Sequence, residues 1–207
     1  MDWRRHELQA LLVRPSSVFH GARLRCQDLS RLGFGKCSLG GADLSECTLA
    51  GCAFDGADMV GANLGGAKLT GSKLPGADLS SCNLAGADVQ GVDLSTCNLR
   101  GANLRTNLSR ATLPPWNSGL MEGVTLAGAT GWKPAVGCKD SMKQAKLKGA
   151  NLQDADLKRV DLSNADLSGA NLAGADLSGC ILQRGNLGNA DLSGATLTGA
   201  IPSGCNL

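Results

Sequence analysis

In the stretch NADLSGANLAGADLSGC, residues 164–180, leucines stand at 167, 172 and 177, each two residues after an alanine. A period of five fits no regular element: it spirals around a helix of period 3.6 and alternates between the two faces of a strand. Neither element buries such a series alone, so the spacing predicts a bend inside every repeat.

The pattern extends far beyond this stretch. Centres at Phe19, Leu24, Leu29, Phe34 and every fifth residue to Leu104 are all apolar, and a second series runs from Leu147 to Leu207 with only Pro202 departing from it. Two positions before most centres lies a small residue, usually alanine or cysteine, and between the two stands Asp, Asn or another residue suited to water. Such a triplet reads as a very short strand, with its first and third side chains inward and its middle one outward. The other two residues turn the chain. Gly51, Gly56, Gly61, Gly66, Gly71 and Gly76 fill the second turn position without a break, as a type II turn with positive φ favours. Units with Ser, Asn, Arg or Asp there are expected to use a type I turn instead. Strands and turns bending always the same way build a solenoid whose coils stack by parallel pairing at about 4.8 Å. On this scheme Leu64→Asp prevents folding, whereas Asn63→Asp, at an outward position, does little.

These A(D/N)LxG units, with all three phenylalanines (Phe19, Phe34, Phe54) at centres, resemble the pentapeptide-repeat proteins. The resemblance implies an all-β fold, a right-handed quadrilateral parallel β-helix with four units per coil. It divides the chain into an N-terminal capping helix (1–16), coils over 17–113, an interrupting loop over 114–144 and coils over 145–207. In the helix, Asp2 is the amino cap, Leu8, Leu11 and Leu12 share a face, and Pro15 lies beyond the end; its expected role is to cover the first coil. At the interruption Leu108 arrives one residue early and Leu113 follows in the new phase. PPWNSGLMEG offers no centre, and Leu126, with Val124 before it, is a candidate isolated repeat. No cap follows Leu207, which suggests either end-to-end pairing of two copies through the uncapped C-terminal coil or a boundary cut from a longer chain.

Composition narrows the function. Aromatic residues make up 3% of the chain, tyrosine is absent and glycines number 29, a balance suited to dense turns and poor in bulky contact anchors. The formal charge of +2 gives no bulk attraction to nucleic acid or to an anionic membrane. Charge is nonetheless uneven: residues 1–36 hold seven basic and three acidic groups, 37–99 hold two and seven, and 133–159 hold seven and three. No apolar run has the length of a membrane span, and the first residues lack a secretory segment. A cytoplasmic protein is the expectation, with organellar import as the alternative raised by the arginine-rich start. Asn107-Leu108-Ser109 then reads as an accidental glycosylation sequon.

Segments that leave a rigid scaffold tend to carry function. Trp116 and Trp132 fall in the interruption beside Pro114, Pro115 and Pro134, with Lys133, Lys139, Lys143, Lys146 and Lys148 nearby. Trp116, Trp132, Lys133, Lys139 and Lys143 are therefore the candidate partner contacts, against the simpler reading that the tryptophans pack the loop onto the coils.

Little else in the chain points to chemistry. Seven of the nine cysteines (Cys37, Cys47, Cys52, Cys82, Cys97, Cys180, Cys205) occupy the small inward position, where a thiol behaves as a small hydrophobe. No two of the seven are twenty residues apart, so disulfide ladders are not expected. No C-x-x-C occurs, and the histidines are His6 and His20 alone, a poor basis for zinc. Cys138, beside Lys139, is the candidate reactive thiol. Eleven of the fifteen aspartates are outward middle residues, so carboxylates come together through the lattice and not for acid–base work. No nucleophile elbow, phosphate loop or metalloprotease motif is present. The reading is a non-enzymatic protein without metal or cofactor.

Some pentapeptide-repeat proteins imitate duplex DNA and engage DNA gyrase. That role needs dense negative charge, and residues 37–99 net only minus five. The run QDLSRLGFGKCSLGGADLSECTLAGC is similar to the repeat half of eukaryotic BTB-domain adaptors of the potassium-channel tetramerisation type. No BTB domain accompanies it here, so only a general protein-binding role carries over. The leading expectation is a rigid scaffold that binds an unidentified protein and contacts neither nucleic acid nor membrane. A gyrase- or topoisomerase-binding mimic and a structural spacer are the alternatives.

Overall fold

The computed structural model describes residues 6, 7, 9, 18–108, 110–115, 118, 120, 121, 123–126 and 142–206. Two compact units divide the chain: Met1–Pro114 with Ala129–Trp132, and Pro115–Gly128 with Lys133–Leu207. Of the predicted capping helix, His6, Glu7 and Gln9 are helical and exposed. Its proposed cap and apolar face lie outside the described residues.

In the first unit, parallel bridges link residues twenty apart: Val18–Ser38–Asp58–Asp78–Asn98 on one face and Arg23–Asp43–Asn63–Asn83–Asn103 on the next. Asp28–Thr48–Lys68–Asp88 forms the third column and Gly33–Ala53–Lys73 the fourth. Five residues per face and twenty per coil make four sides. The second unit repeats the scheme, as in Lys146–Asp166–Asn186–Asn206.

The alternation follows the triplet. Ala62 and Leu64 are fully buried, while Asn63 between them is half-buried at the surface. The tube has room for one large side chain per face when its partner stays small, which explains the alanines. The first coils take the largest fillers: Phe34 and Phe54 stack at 5.2 Å, and Phe19 meets Phe34 edge-on at 6.4 Å. Burial of each leucine contributes about 2 kcal/mol.

Three hydrogen bonds tie a regular unit such as that of Leu64 to the next coil. Leu64 N–H donates to Asn83 O (2.7 Å), Gly66 N–H to Ala85 O (3.0 Å), and Asn83 N–H to Ala62 O (3.0 Å). Within the unit, Ala67 N–H closes the turn onto Leu64 O at 3.0 Å.

This bonding corrects the expected type I turns. Ser81, Asp154, Arg159 and Asn164 have φ of 57°, 56°, 58° and 57°, the same left-handed region as Gly61 at 66°. The turn itself keeps this form in every coil, Asn189 of the last one included at 59°, and each of these four residues also donates its N–H to the next coil, as Asp154 does to Ala173 O and Arg159 to Ser178 O. A left-handed φ costs a non-glycine residue roughly 1–2 kcal/mol. Thr96 is the departure from Gly21 to Gly101, outside the left-handed set, as its β-branch would dictate. Its hydroxyl instead accepts the Gly76 N–H at 3.0 Å, a bond that the equivalent Gly56 makes to the Pro75 carbonyl.

The phase shift is absorbed close by. Leu108 is buried, Thr112 bridges Asp93, and the buried Thr106 hydroxyl donates to Ala87 O. Leu126 is a true centre: it and Val124 are buried, Thr125 bridges Asn151, and Leu126 N–H reaches Asn151 O at 2.8 Å. Contrary to the expectation that PPWNSGLMEG lacks a centre, Met121 is fully buried five residues earlier and its carbonyl receives Val124 N–H. Met142 does the same before Ala145. The unbranched thioether fills the leucine position.

Two outcomes check this architecture. Leu64→Asp places a carboxylate in a sealed apolar tube and should abolish cooperative thermal unfolding by circular dichroism. A Cβ on Gly61 would meet nothing within 4 Å, so Gly61→Ala isolates backbone strain and should lower stability by about 1 kcal/mol in urea unfolding.

Candidate functional site

A coil offers its surroundings only the outward middle residues and the turns, and most outward polar groups are already engaged with one another. Asp and Asn side chains accept the N–H two residues on: Ser45 N to Asp43 Oδ1 (3.1 Å), Gly65 N to Asn63 Oδ1 (3.2 Å), Ser178 N to Asp176 Oδ1 (3.0 Å). This local bond favours Asx residues ahead of a turn. Where serine follows, its hydroxyl adds a second bond to the same carboxylate, 2.6 Å in Asp43–Ser45 and Asp161–Ser163. Proline is harmless at this position after a residue that cannot accept, as at Lys73-Leu74-Pro75.

On the second face the amides also form a ladder. Asn103 Nδ2 donates to Asn83 Oδ1 (3.1 Å), Asn83 to Asn63 (2.9 Å), and Asn63 to Asp43 Oδ1 (3.3 Å). The second unit repeats it from Asn206 through Asn186 to Asp166. Every step donates toward the N-terminus. An aspartate, which only accepts when ionised, therefore fits at the base and nowhere above it. The ladder revises the expectation that Asn63→Asp does little: the new carboxylate would lose a donor and face that of Asp43.

A third relation joins residues eighteen apart, from the first turn position of one coil to the outward residue of the next. Lys143 Nζ meets Asp161 Oδ2 and Lys158 Nζ meets Asp176 Oδ2, both at 3.1 Å, and Thr70 Oγ1 donates to Asp88 Oδ2 at 3.0 Å. These lysines are 58% exposed, so solvent screens both pairs and each contributes little to stability. Arg25 acts on Asp43 over the same interval and pairs with Glu46 at 2.7 Å, where the exposed Cys26 thiol also donates to Glu46 at 3.4 Å.

Among the candidate contacts, Lys143 is exposed and held by Asp161. Trp116, Trp132, Lys133 and Lys139 lie outside the described residues, as does Cys138. Sequence reasoning overlooked the eighteen-residue pairs, although Lys-to-Asp spacing of eighteen was present to be read.

Inside the tube the thiols have a defined bond. Cys47, Cys52, Cys82, Cys97 and Cys180 each donate S–H to the centre carbonyl twenty-three residues earlier, from Cys47 to Leu24 O (2.8 Å) to Cys97 to Leu74 O (3.2 Å). Ser72 uses the same acceptor geometry, to Leu49 O at 2.7 Å. A small inward residue thus carries a weak donor without leaving it unsatisfied. Burial pushes the thiols up, Cys47 and Cys180 to about 11 and Cys82 and Cys97 to about 12. Among the described residues no group of three or more His, Cys, Asp or Glu could hold a metal ion.

Carboxylates shift the other way. The Ser45 hydroxyl lowers Asp43 against the effect of burial, and the Ser168 hydroxyl does so for Asp166. For Asp161, burial acts upward but is outweighed by Ser163 and Lys143. A carboxylate depressed on folding stabilises the protein above its unfolded pKa, near 3.9, and loses that contribution as pH falls through the folded value.

Protein-family comparison matches pentapeptide repeats (8 copies) at residues 37–76, 62–101, 76–113, 145–184 and 185–207, together more than half of the chain. Comparison with curated proteins gives no match. Among solved structures, the chain is similar to HetL, a pentapeptide repeat protein involved in heterocyst differentiation regulation from the cyanobacterium Nostoc sp. strain PCC 7120. Identity is 28% over 99% of this chain and 96% of that one, with a TM-score of 0.45. A pentapeptide repeat protein from the Arabidopsis thaliana thylakoid lumen is 30% identical over 66% of this chain and 68% of that one, with a TM-score of 0.23. QnrB1, a plasmid-mediated fluoroquinolone resistance protein, is 19% identical over 94% and 85%, with a TM-score of 0.30.

Iodoacetamide at pH 8, read by peptide mass spectrometry, should alkylate Cys26 in the native protein and spare Cys47, Cys82, Cys97 and Cys180 until it is unfolded. Asn63→Asp should destabilise the protein by about 1 kcal/mol at pH 7. The difference from wild type should shrink below pH 4, where protonation restores a donor and wild-type stability is itself falling.

Proposed function

Because the chain belongs to the pentapeptide-repeat family, we propose that it is a non-enzymatic, rigid scaffold that mediates protein–protein interaction. The contact is made by the interruption carrying Trp116, Trp132, Lys133 and Lys139, together with the exposed Lys143. The observation that carries this reading is the engagement of the coil surface with itself: turn bonds, amide ladders and eighteen-residue pairs use many of the outward polar groups. Recognition chemistry is then left to the segment that departs from the lattice and holds two of the three tryptophans. The cytoplasm is the proposed compartment.

Duplex mimicry fits less well. The acidic residues of 37–99 are distributed over all four faces, with Asp58 and Asp78 on the first column, Asp43 on the second, Asp88 on the third beside Lys68, and Asp93 on the fourth. Among these described residues, no face carries a continuous anionic track of the kind a duplex presents.

Crosslinking capture from the native cell, comparing wild type with the double variant Trp116→Ala/Trp132→Ala, tests the reading. A partner held by wild type and lost from a double variant of unchanged melting temperature is the expected outcome. A partner retained by the double variant would move the contact onto the coils, and capture of a topoisomerase would restore mimicry.

A further inference from the structure

We infer that the face of the second unit built on Ile181 and Ile201 docks an acidic peptide segment with aliphatic side chains, supplied by a partner protein. The inference rests on the protein-binding reading above but uses residues other than those of the interruption. Among the described residues of this unit, outward positions carry Asp, Asn, Thr or Lys, and Ile181 and Ile201 alone are apolar. The two are stacked, Ile181 bridging both Asp161 and Ile201. Ile181 is half-buried and Ile201 is 46% exposed. Both point sideways by their place in the triplet, so this surface belongs to the flank of the coils.

Isoleucine at this position also withdraws the acceptor of the turn. Ser163 N–H is held by Asp161 Oδ1 at 3.0 Å, but the equivalent N–H groups of Gln183 and Ser203 find no acceptor among the described residues. Two arginines stand at the corners that bound the face. Arg159 Cγ lies 3.3 Å from where a Cβ on Gly179 would stand, and Arg184 Cγ lies 3.6 Å from the same point on Gly204. Each stem therefore lies over a glycine of the next coil, one before the isoleucine column and one after it. Both arginines are exposed and have no ion pair among the described residues. The nearby carboxylates are already engaged: Lys143 holds Asp161 and Lys158 holds Asp176, each at 3.1 Å.

Apolar area between unpaired cations and outward amide donors selects the chemistry of its partner. Aliphatic side chains remove the isoleucines from water, carboxylates meet the guanidinium groups, and peptide carbonyls accept the two N–H groups. A basic segment would repel the arginines, and a nucleic acid backbone would leave the isoleucines uncovered. The chain's own interruption is a poor occupant, since in residues 127–141 Lys133 and Lys139 are balanced only by Asp140.

Fluorescence anisotropy on the full chain tests this with a labelled hexapeptide, two leucines flanked on each side by two glutamates. Wild type should bind it more weakly as salt rises, and about tenfold more tightly than controls with lysines for the glutamates or serines for the leucines. Ile181→Asn with Ile201→Asn should weaken binding by about tenfold. That variant suits the lattice, because an amide at 181 has Asp161 as its acceptor, as Asn186 has Asp166 at 3.2 Å; circular dichroism melting confirms that it folds. Arg159→Gln with Arg184→Gln should weaken binding and flatten its salt dependence. Trp116→Ala/Trp132→Ala should bind the peptide as wild type does, so the capture experiment on that variant judges the interruption separately. Absent binding by wild type, equal binding of the acidic and basic peptides, undiminished binding by the folded isoleucine variant, or loss of binding in the tryptophan variant overturns the inference.

Discussion

The stacking of these coils depends on the backbone bond that the second turn residue makes to the coil above it. A leucine at each fifth position can leave water only if the chain changes direction after three residues. The new direction is held by that residue's N–H, reaching a carbonyl nineteen positions on, as Gly66 reaches Ala85. The turn that aims this N–H demands a left-handed φ at the same residue. Glycine meets the demand without strain, and Asp154, Arg159 and Arg184 meet it at a cost. Hydrophobic burial drives the winding; this hydrogen bond determines its shape.

The same lattice constrains the surface. Because coils repeat every twenty residues, a side chain's partners are set by arithmetic, and direction enters through chemistry: amides donate downward until an aspartate ends the chain of donors. Aspartates are abundant for this reason, as acceptors for turns and ladders. A surface so engaged is stiff and chemically quiet, which suits a scaffold. Its inner thiols, bonded to centre carbonyls and far above neutral pKa, are equally inert.

Much of this was legible in the sequence. Centres from Phe19 to Leu104 and the alanine or cysteine two residues before them gave the triplet, since burial is a side-chain property that residue type reveals directly. Turn conformation at Ser81 and Asp154 was not, because the repeat keeps one left-handed turn even where the side chain's own preference runs against it. Met121 and Met142 escaped notice because methionine breaks the visual pattern of leucines while filling the same volume. The amide ladders and eighteen-residue ion pairs needed the coil length first; once twenty is known, both can be read from the letters. The interruption stays the least legible part, for Trp116, Trp132, Lys133 and Lys139 stand outside the five-residue pattern of the sequence, and composition alone suggests its role.

The most direct test of the winding is through-hydrogen-bond scalar coupling by NMR on isotope-labelled protein. Cross-peaks should connect each centre amide nitrogen to the carbonyl carbon nineteen residues later, Leu64 to Asn83 and Leu167 to Asn186 among them. Couplings at helical separation, or pairings at other intervals, would contradict the coil and everything derived from it.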